Sequence, residues 1–312
     1  MKILFTGASS FTGMWFVRAL VADGHEVVAP IHKSKNAYDG LRKERIESIK
    51  NECRLVFECP FGSDSFMDLI RSESSWDLLC HHAADVTNYK SPDFDPIKAL
   101  ENNTHRLQEV IHLLKEKQCS KVLLTGSVFE QREGVGTDDL RAVSPYGLSK
   151  GFTSDYFQFY CLKSQMRLGK FVIPNPFGPY EEMRFTSYLA KTWLKQEIAP
   201  VSHPNYVRDN VPVTLLAKSY AYFAQLLNNS SGIQKINPSY YVESQGAFTE
   251  RFAKEMRQRF GLPCRYELQI QTDFSEPIER MNTDLIDRMQ LGWSETKSWD
   301  ELAEYYKRVY TS

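Results

Sequence analysis

An apolar run at Lys2–Thr6 leads directly into Gly7-Ala-Ser-Ser-Phe-Thr-Gly13, and an amphipathic stretch, Phe11–Asp23, begins inside that loop. A glycine-bounded turn from strand to helix leaves few folds open. It aims the first, unpaired N–H groups of the helix past the end of the strand, an arrangement suited to an anion. The pattern then repeats. His25–Pro30, Arg54–Glu58, Trp76–His81 and Lys121–Thr125 read as further strands, with helical segments near Ser65–Ser72, Asp95–Lys117 and Pro145–Ser164. Short apolar runs alternating with amphipathic stretches predict parallel strands joined by helices. The expected fold class is therefore α/β, a doubly wound parallel sheet whose ligand lies beyond the carboxyl ends of the strands, where the strand order reverses.

The organisation changes at Pro174, Pro176 and Pro179, which end a strand and open a loop-rich region. Residues 1–174 are expected to form a dinucleotide-binding Rossmann domain and residues 175–312 a smaller substrate domain. Residues 206–230, a strand-like piece and an apolar helix, are expected to return to the first domain, which would make the second one discontinuous. A last helix is expected at Trp299–Val309.

With 42% hydrophobic and 25% charged residues the chain is of ordinary globular composition. A net charge of −1 offers no basic field to gather nucleic acid or an anionic membrane. The six cysteines include no C-x-x-C pair, which fits reduced thiols better than a zinc site or a disulfide frame. No metal site is expected. The start of the chain does not read as a signal peptide, and no apolar run approaches the ~18 residues of a membrane helix, so a cytoplasmic location is expected.

In the loop, Gly7 suits a tight turn and Gly13 close packing of helix on sheet, with Ser9, Ser10, Phe11 and Thr12 between them at the expected pyrophosphate site. Ser10 stands where the usual pattern has its middle glycine. The competing reading is a strand-to-helix turn without a ligand. After the second strand the chain reads Ile31-His-Lys-Ser-Lys35. NAD recognition calls for a carboxylate there to hold the ribose hydroxyl, whereas His32, Lys33, Ser34 and Lys35 suit a 2′-phosphate. NADP is the expected cofactor, with NAD the alternative and a solvated basic turn the reading without a ligand.

Ser144-Pro-Tyr-Gly-Leu-Ser-Lys150 offers an N-cap, a proline suited to the first helical position, and Tyr146 and Lys150 at i and i+4 on one helix face. A phenol with an ordinary pKa of about 10 is a poor base at neutral pH, and an adjacent ammonium favours its phenolate. Taken alone, such a pair is usually a solvated helix face. Its place after the fifth strand, in a chain carrying the Gly7 loop, points to chemistry.

Taken together, the loop, the pair and their order resemble the extended short-chain dehydrogenase/reductase family, especially its NAD(P)-dependent epimerase/dehydratase group acting on nucleotide sugars. The motifs that carry the likeness are Thr6–Gly13, His81-His-Ala-Ala84, Asn103, Thr125-Gly-Ser-Val-Phe129, Tyr146 with Lys150, Pro174–Pro179, Val207-Arg-Asp209 and Leu291-Gly-Trp293. The resemblance implies Tyr146 as acid/base and Lys150 as ligand of the nicotinamide ribose. It further implies a hydroxyl of Thr125 or Ser127 at the reacting oxygen, although either could simply cap a turn. It implies that the cofactor passes Ala83 and Ala84, that Asn103 steadies the site, and that Asn175 lies beside nicotinamide and substrate. Arg208 would bind a diphosphate with Arg184 assisting, against the plainer reading of a salt bridge between Arg208 and Asp209. A homodimer through two helices is implied as well.

Cys59 stands near where many relatives have an aspartate at the adenine, so that contact is expected to be lost. Gly126 and Ser127 occupy the places where sugar dehydratases carry a carboxylate, which disfavours elimination of water. The expected reaction is hydride transfer at a sugar carbon, C4 foremost, on a nucleotide-linked substrate. A reductase and a cofactor-retaining epimerase share this machinery; the basic turn tips the reading towards the reductase. A reductase of small carbonyl compounds and a dinucleotide-binding protein without chemistry are the rival readings.

Overall fold

The computed structural model describes residues 1–229 and 231–311. In chain order its first elements are β1 (Lys2–Thr6), α1 (Phe11–Ala22), β2 (Glu26–Pro30), α2 (Gly40–Ile49), β3 (Arg54–Val56), α3 (Asp64–Ser72), β4 (Leu78–His81), α4 (Pro96–Asn103), α5 (Leu107–Glu116), β5 (Lys121–Ser127), α6 (Pro145–Lys163) and β6 (Arg167–Ile173). There follow β7 (Asn175–Phe177), α7 (Phe185–Leu194), β8 (Ala199–Val201), β9 (Val207–Pro212), α8 (Val213–Leu226), β10 (Ile233–Ile236), β11 (Pro238–Ser239), β12 (Tyr241–Ser244), α9 (Gln245–Phe260), β13 (Tyr266–Leu268), β14 (Glu279–Arg280), β15 (Asp284–Leu285) and α10 (Glu295–Tyr310). The chain divides into two compact units, Met1–Glu133 with Arg141–Ile173 and Ala217–Asn237, and Gly134–Leu140 with Pro174–Leu216 and Pro238–Ser312.

The first unit holds a seven-stranded parallel sheet in the order β10-β6-β5-β4-β1-β2-β3. The strand order reverses between β1 and β4, and their carboxyl ends, Thr6 and His81, stand opposite each other in register. That is the switch point where doubly wound sheets bind ligands. One face of the sheet is covered by Phe66, Trp76, Ile111, Leu114, Phe157 and their neighbours. On the other, Phe16 stacks on Tyr220 at 4.0 Å and meets Phe171 edge-on.

Two local expectations are corrected. The predicted single helix Asp95–Lys117 is two, α4 and α5, because Arg106 adopts a left-handed conformation (φ 50) and is held there by Asp64 at 2.8 Å. The helix α2 was not expected, since its sequence has little amphipathic contrast; it docks through Ile46, Ile49 and the fully buried Arg45, whose guanidinium lies 5.9 Å from the ring of Phe11.

In the second unit β9 pairs with β7, β12 and β14, so it is β10 and not the strand near Tyr206 that joins the large sheet. The core of this unit gathers Phe177, Leu189, Trp193, Phe248, Phe252, Trp299 and Tyr306. Among the described residues, no helix is long and apolar enough to cross a membrane.

Candidate active site

The loop after β1 is fixed by its own residues. Gly7 has φ +85, and a Cβ there would lie 2.7 Å from the backbone nitrogen of Ala83, so only glycine lets β1 and the segment after β4 approach this closely. Ser10 caps α1, its Oγ accepting the Gly13 N–H at 3.0 Å. The hydroxyl that replaces the usual middle glycine is thus turned back into the helix cap. Ser9 and Ser10 are partly exposed at the turn, while Phe11, Thr12 and Gly13 are buried. The Thr6 hydroxyl accepts the N–H groups of His82 and Ala83 at 3.2 and 3.1 Å, which pins the partly buried Ala83 and Ala84 beside the loop.

At the end of β2, His32, Lys33 and Lys35 are exposed and Ser34 leads into a short 3-10 turn. The hydroxyl of Tyr38 accepts the Lys33 N–H at 3.2 Å. Lys35, Asn36, Tyr38 and Lys43 line one cleft with Ile46 and Glu47. Lys43 was missed from sequence because it lies on the unexpected α2. Cys59 is buried nearby, its N–H bonded to the Ile31 carbonyl at 2.9 Å, and burial pushes its thiol up to about 11. These residues can form a dinucleotide cradle: a glycine turn that admits close backbone approach, a capped helix N-terminus, and basic side chains at the end of the second strand.

On the far side of the switch point, Ser144 caps α6 by accepting the Gly147 N–H at 3.1 Å, with Pro145 at the first helical position. A Cβ on Gly147 would lie 2.3 Å from the Phe129 carbonyl oxygen, so glycine at that position lets the start of α6 settle on the loop after β5. Tyr146, partly exposed, meets the ring of Tyr89 at 5.3 Å and that of Phe94 edge-on at 6.0 Å. One turn on, Lys150 is 4% exposed and donates to the Thr125 carbonyl at 2.6 Å. Burial lowers its pKa to about 8, with Glu130 pulling it up and Lys170 pushing it further down.

The two candidate hydroxyls differ. Ser127 Oγ accepts the Phe129 N–H at 3.2 Å, a turn-capping contact, whereas Thr125 Oγ1 lies 3.0 Å from His82 Nδ1. Asn103 accepts the Asp85 N–H at 2.7 Å and donates to Thr153 at 3.2 Å, tying the loop after β4 to α6.

A buried charge network that no sequence pattern marks lies beside these groups. Glu130, fully buried, accepts the Ser127 N–H at 2.7 Å and Lys170 at 2.6 Å; Lys170 also reaches Glu133 at 2.8 Å, and Glu133 holds Lys235 at 3.0 Å. Burial would lower the Lys170 pKa, but the two carboxylates outweigh it and hold the ammonium above its ordinary range. A Cβ on Gly126 would come within 2.7 Å of Lys170 Cε. A carboxylate therefore does stand beside Gly126, but it comes from Glu130 and is engaged by Lys170 and the Ser127 amide.

The remaining candidates lie in the second unit. Asn175 is paired in register with Asn210. Arg184 is the N-cap residue of α7, its N–H bonded to Ser187 at 2.7 Å and its guanidinium 3.8 Å from Glu182. Arg208 does not pair with Asp209. Its guanidinium donates to the carbonyls of Val207, Pro277 and Ile278 at 2.9–3.1 Å and to Glu276 at 2.9 Å, and it lies over the ring of Tyr206. Asp209 instead accepts the Tyr240 N–H at 2.9 Å, and burial raises it to about 6.

Residues 3–237 match the model of the NAD dependent epimerase/dehydratase family. A UDP-glucose 4-epimerase of Mycolicibacterium smegmatis is 26% identical over 187 residues; the chain spans 58% of the length of that curated relative. Among solved structures, the UDP-glucuronic acid 4-epimerase of Bacillus cereus in complex with UDP-glucuronic acid and NAD is 18% identical with a TM-score of 0.73, over 99% of this chain and 100% of that one. The UDP-glucose 4-epimerase of Thermotoga maritima with UDP-glucose is also 18% identical with a TM-score of 0.73, over 99% of each chain. At these identities the structural likeness is one of fold.

Proposed function

Since the chain belongs to the NAD dependent epimerase/dehydratase family, we propose that it is an enzyme that moves hydride at C4 of a nucleotide-linked sugar. The observation that carries this reading is the buried Lys150 ammonium, one helical turn from Tyr146 and bonded to Thr125 at the switch point of the sheet. When bound, the nicotinamide dinucleotide supplies the hydride acceptor and donor. Tyr146 takes the proton from the sugar hydroxyl and returns it to the carbonyl. Lys150 favours the phenolate and holds the nicotinamide ribose, and the Thr125 hydroxyl binds the reacting oxygen. Gly7, Ser9, Ser10, Phe11, Thr12 and Gly13 would surround the pyrophosphate and Ala83 and Ala84 would line the cofactor's path, while Arg184, Asn175 and, in exchange for its contact to Glu276, Arg208 would meet the substrate. The 4-epimerase names of the relatives support epimerisation.

A second reading, an NADPH-consuming reductase, rests on the basic residues of the turn His32–Lys35 and on Lys43, which lines one cleft with Lys35 and Glu47. These residues also support NADP over NAD as cofactor. A homodimer through helical faces is supported by Phe159 and Leu162, which are 58% and 52% exposed on α6.

The test is incubation with UDP-glucose, UDP-glucuronic acid and UDP-N-acetylglucosamine, each with NAD or NADP, and with their 4-keto forms and the reduced cofactors, with products separated chromatographically. Turnover of at least one is expected, and Tyr146→Phe should lower it on the order of 1,000-fold while leaving dinucleotide binding intact. Full turnover by Tyr146→Phe would show that the proton role is misassigned.

A further inference from the structure

His82 takes no part in the chemistry assigned above, yet its ring joins two parts of the site. It packs edge-on to Phe16 at 5.2 Å and tilted to Phe5 at 5.8 Å, with both nitrogens in hydrogen-bonding contact. Nε2 lies 3.0 Å from Ser10 Oγ and 3.1 Å from Thr12 Oγ1, on the loop after β1; Nδ1 lies 3.0 Å from Thr125 Oγ1, at the end of β5. Burial, reinforced by Lys150, lowers its pKa to about 3, so the ring is neutral at physiological pH.

A neutral imidazole has one donor and one acceptor nitrogen, and its neighbours decide which is which. Ser10 Oγ already accepts the Gly13 N–H, so its own proton can point at Nε2. Thr12 can present its hydroxyl proton to the same atom. Ser10 and Thr12 can both donate towards Nε2, whereas Thr125 alone faces Nδ1, which favours the tautomer with the ring proton on Nδ1. The Nδ1–H then donates to Thr125 Oγ1, which turns the Thr125 proton away from the ring; the buried Tyr220 hydroxyl also faces Thr125, and the reacting oxygen competes with it for that proton. The opposite tautomer would draw that proton to the ring.

We propose that His82 is a positioning residue: held by Ser10 and Thr12 of the phosphate loop, it donates from Nδ1 to Thr125 and so sets the Thr125 hydroxyl as a donor towards the reacting sugar oxygen. This inference rests on the function proposed above. It ties the loop that would cradle the dinucleotide to the group that would bind the substrate. It also gives Ser10 a use in place of the usual glycine.

Two measurements test it. Nitrogen-15 NMR of histidine-labelled protein, without any ligand, should show His82 as the Nδ1–H tautomer, with Ser10→Ala and Thr12→Val shifting its signals; an Nε2–H ring overturns the proposal. For kinetics, the probe is whichever of UDP-glucose, UDP-glucuronic acid and UDP-N-acetylglucosamine the wild type converts. His82→Phe keeps an aromatic ring between Phe5 and Phe16, and should lower kcat by up to about 100-fold with KM and dinucleotide affinity unchanged. His82→Asn, which restores a donor near the place of Nδ1, should recover part of the loss. Adding Thr125→Val to His82→Phe should cost no more than Thr125→Val alone, because both changes remove one hydrogen bond. A wild-type kcat in His82→Phe, or losses that add, would sink the His82 proposal. An active Tyr146→Phe would sink the proposed function instead, and the NMR result would still decide the tautomer.

Discussion

Gly126 separates what a residue's type can tell from what its neighbours add. From sequence it marks the absence of a dehydratase carboxylate; in the fold it leaves room for Lys170 to reach Glu130, forty residues apart in the chain. A methyl group there must push against a buried ion pair. Gly126→Ala is expected to lower the unfolding free energy by about 1–3 kcal/mol, the usual range for overpacking, as read from the urea midpoint. Tyr146 and Lys150 were legible because a helix repeats every three to four residues, so their spacing alone places them on one face. His82, Glu130 and Lys170 gave no such signal, because their partners lie on other strands and loops.

The turn after β2 carries the cofactor argument for this element. Lys33 and Lys35 are exposed, with no carboxylate between Ile31 and Lys35 to meet a ribose hydroxyl. Lys33→Ala with Lys35→Ala is expected to weaken NADP binding by on the order of 10–100-fold while leaving NAD binding within a few-fold, since a charge-assisted contact to phosphate is worth about 1.5–3 kcal/mol. Isothermal titration with each dinucleotide measures it; equal losses for both would remove the case for a 2′-phosphate site. The break between α4 and α5 was illegible for a related reason. Nothing in Asn102–Leu107 is a helix breaker by type, and the left-handed Arg106 is paired with Asp64 and Glu109.

Across the whole molecule, acid is expected to act on the two units in opposite directions. In the first, His81 and His82 are held neutral, their pKa values lowered by burial from 6.5 to about 3. The unfolded chain takes up those protons first, so stability from this source is present above about 6.5 and is lost as pH falls towards about 3, at up to about 1.4 kcal/mol per pH unit for each ring. In the second, burial raises Glu181 to about 7 and Asp209 to about 6. Their protonated forms favour the folded state, so stability is gained as pH falls through those values towards the ordinary carboxyl range. Hydrogen exchange between pH 7 and 4.5, corrected for intrinsic rates, should therefore show protection falling in β1, β4 and β5 and rising around Phe177, Trp193 and Tyr306. Protection that falls equally in both would contradict the assignment.

The sequence by itself determined the alternation of strand and helix, the glycine turn at Gly7 and the placing of Tyr146 and Lys150 on one helix face. Each is a short-range pattern, fixed by the period of a helix or strand and by the freedom of glycine. Only the tertiary structure decided that Arg208 pairs with Glu276 and not with Asp209, that Glu130 and Lys170 fill the space beside Gly126, and that His82 joins the loop of Ser10 to Thr125. Those contacts join residues 40 or more positions apart, and which partner a charged or hydroxyl group takes depends on the strand order that brings them together.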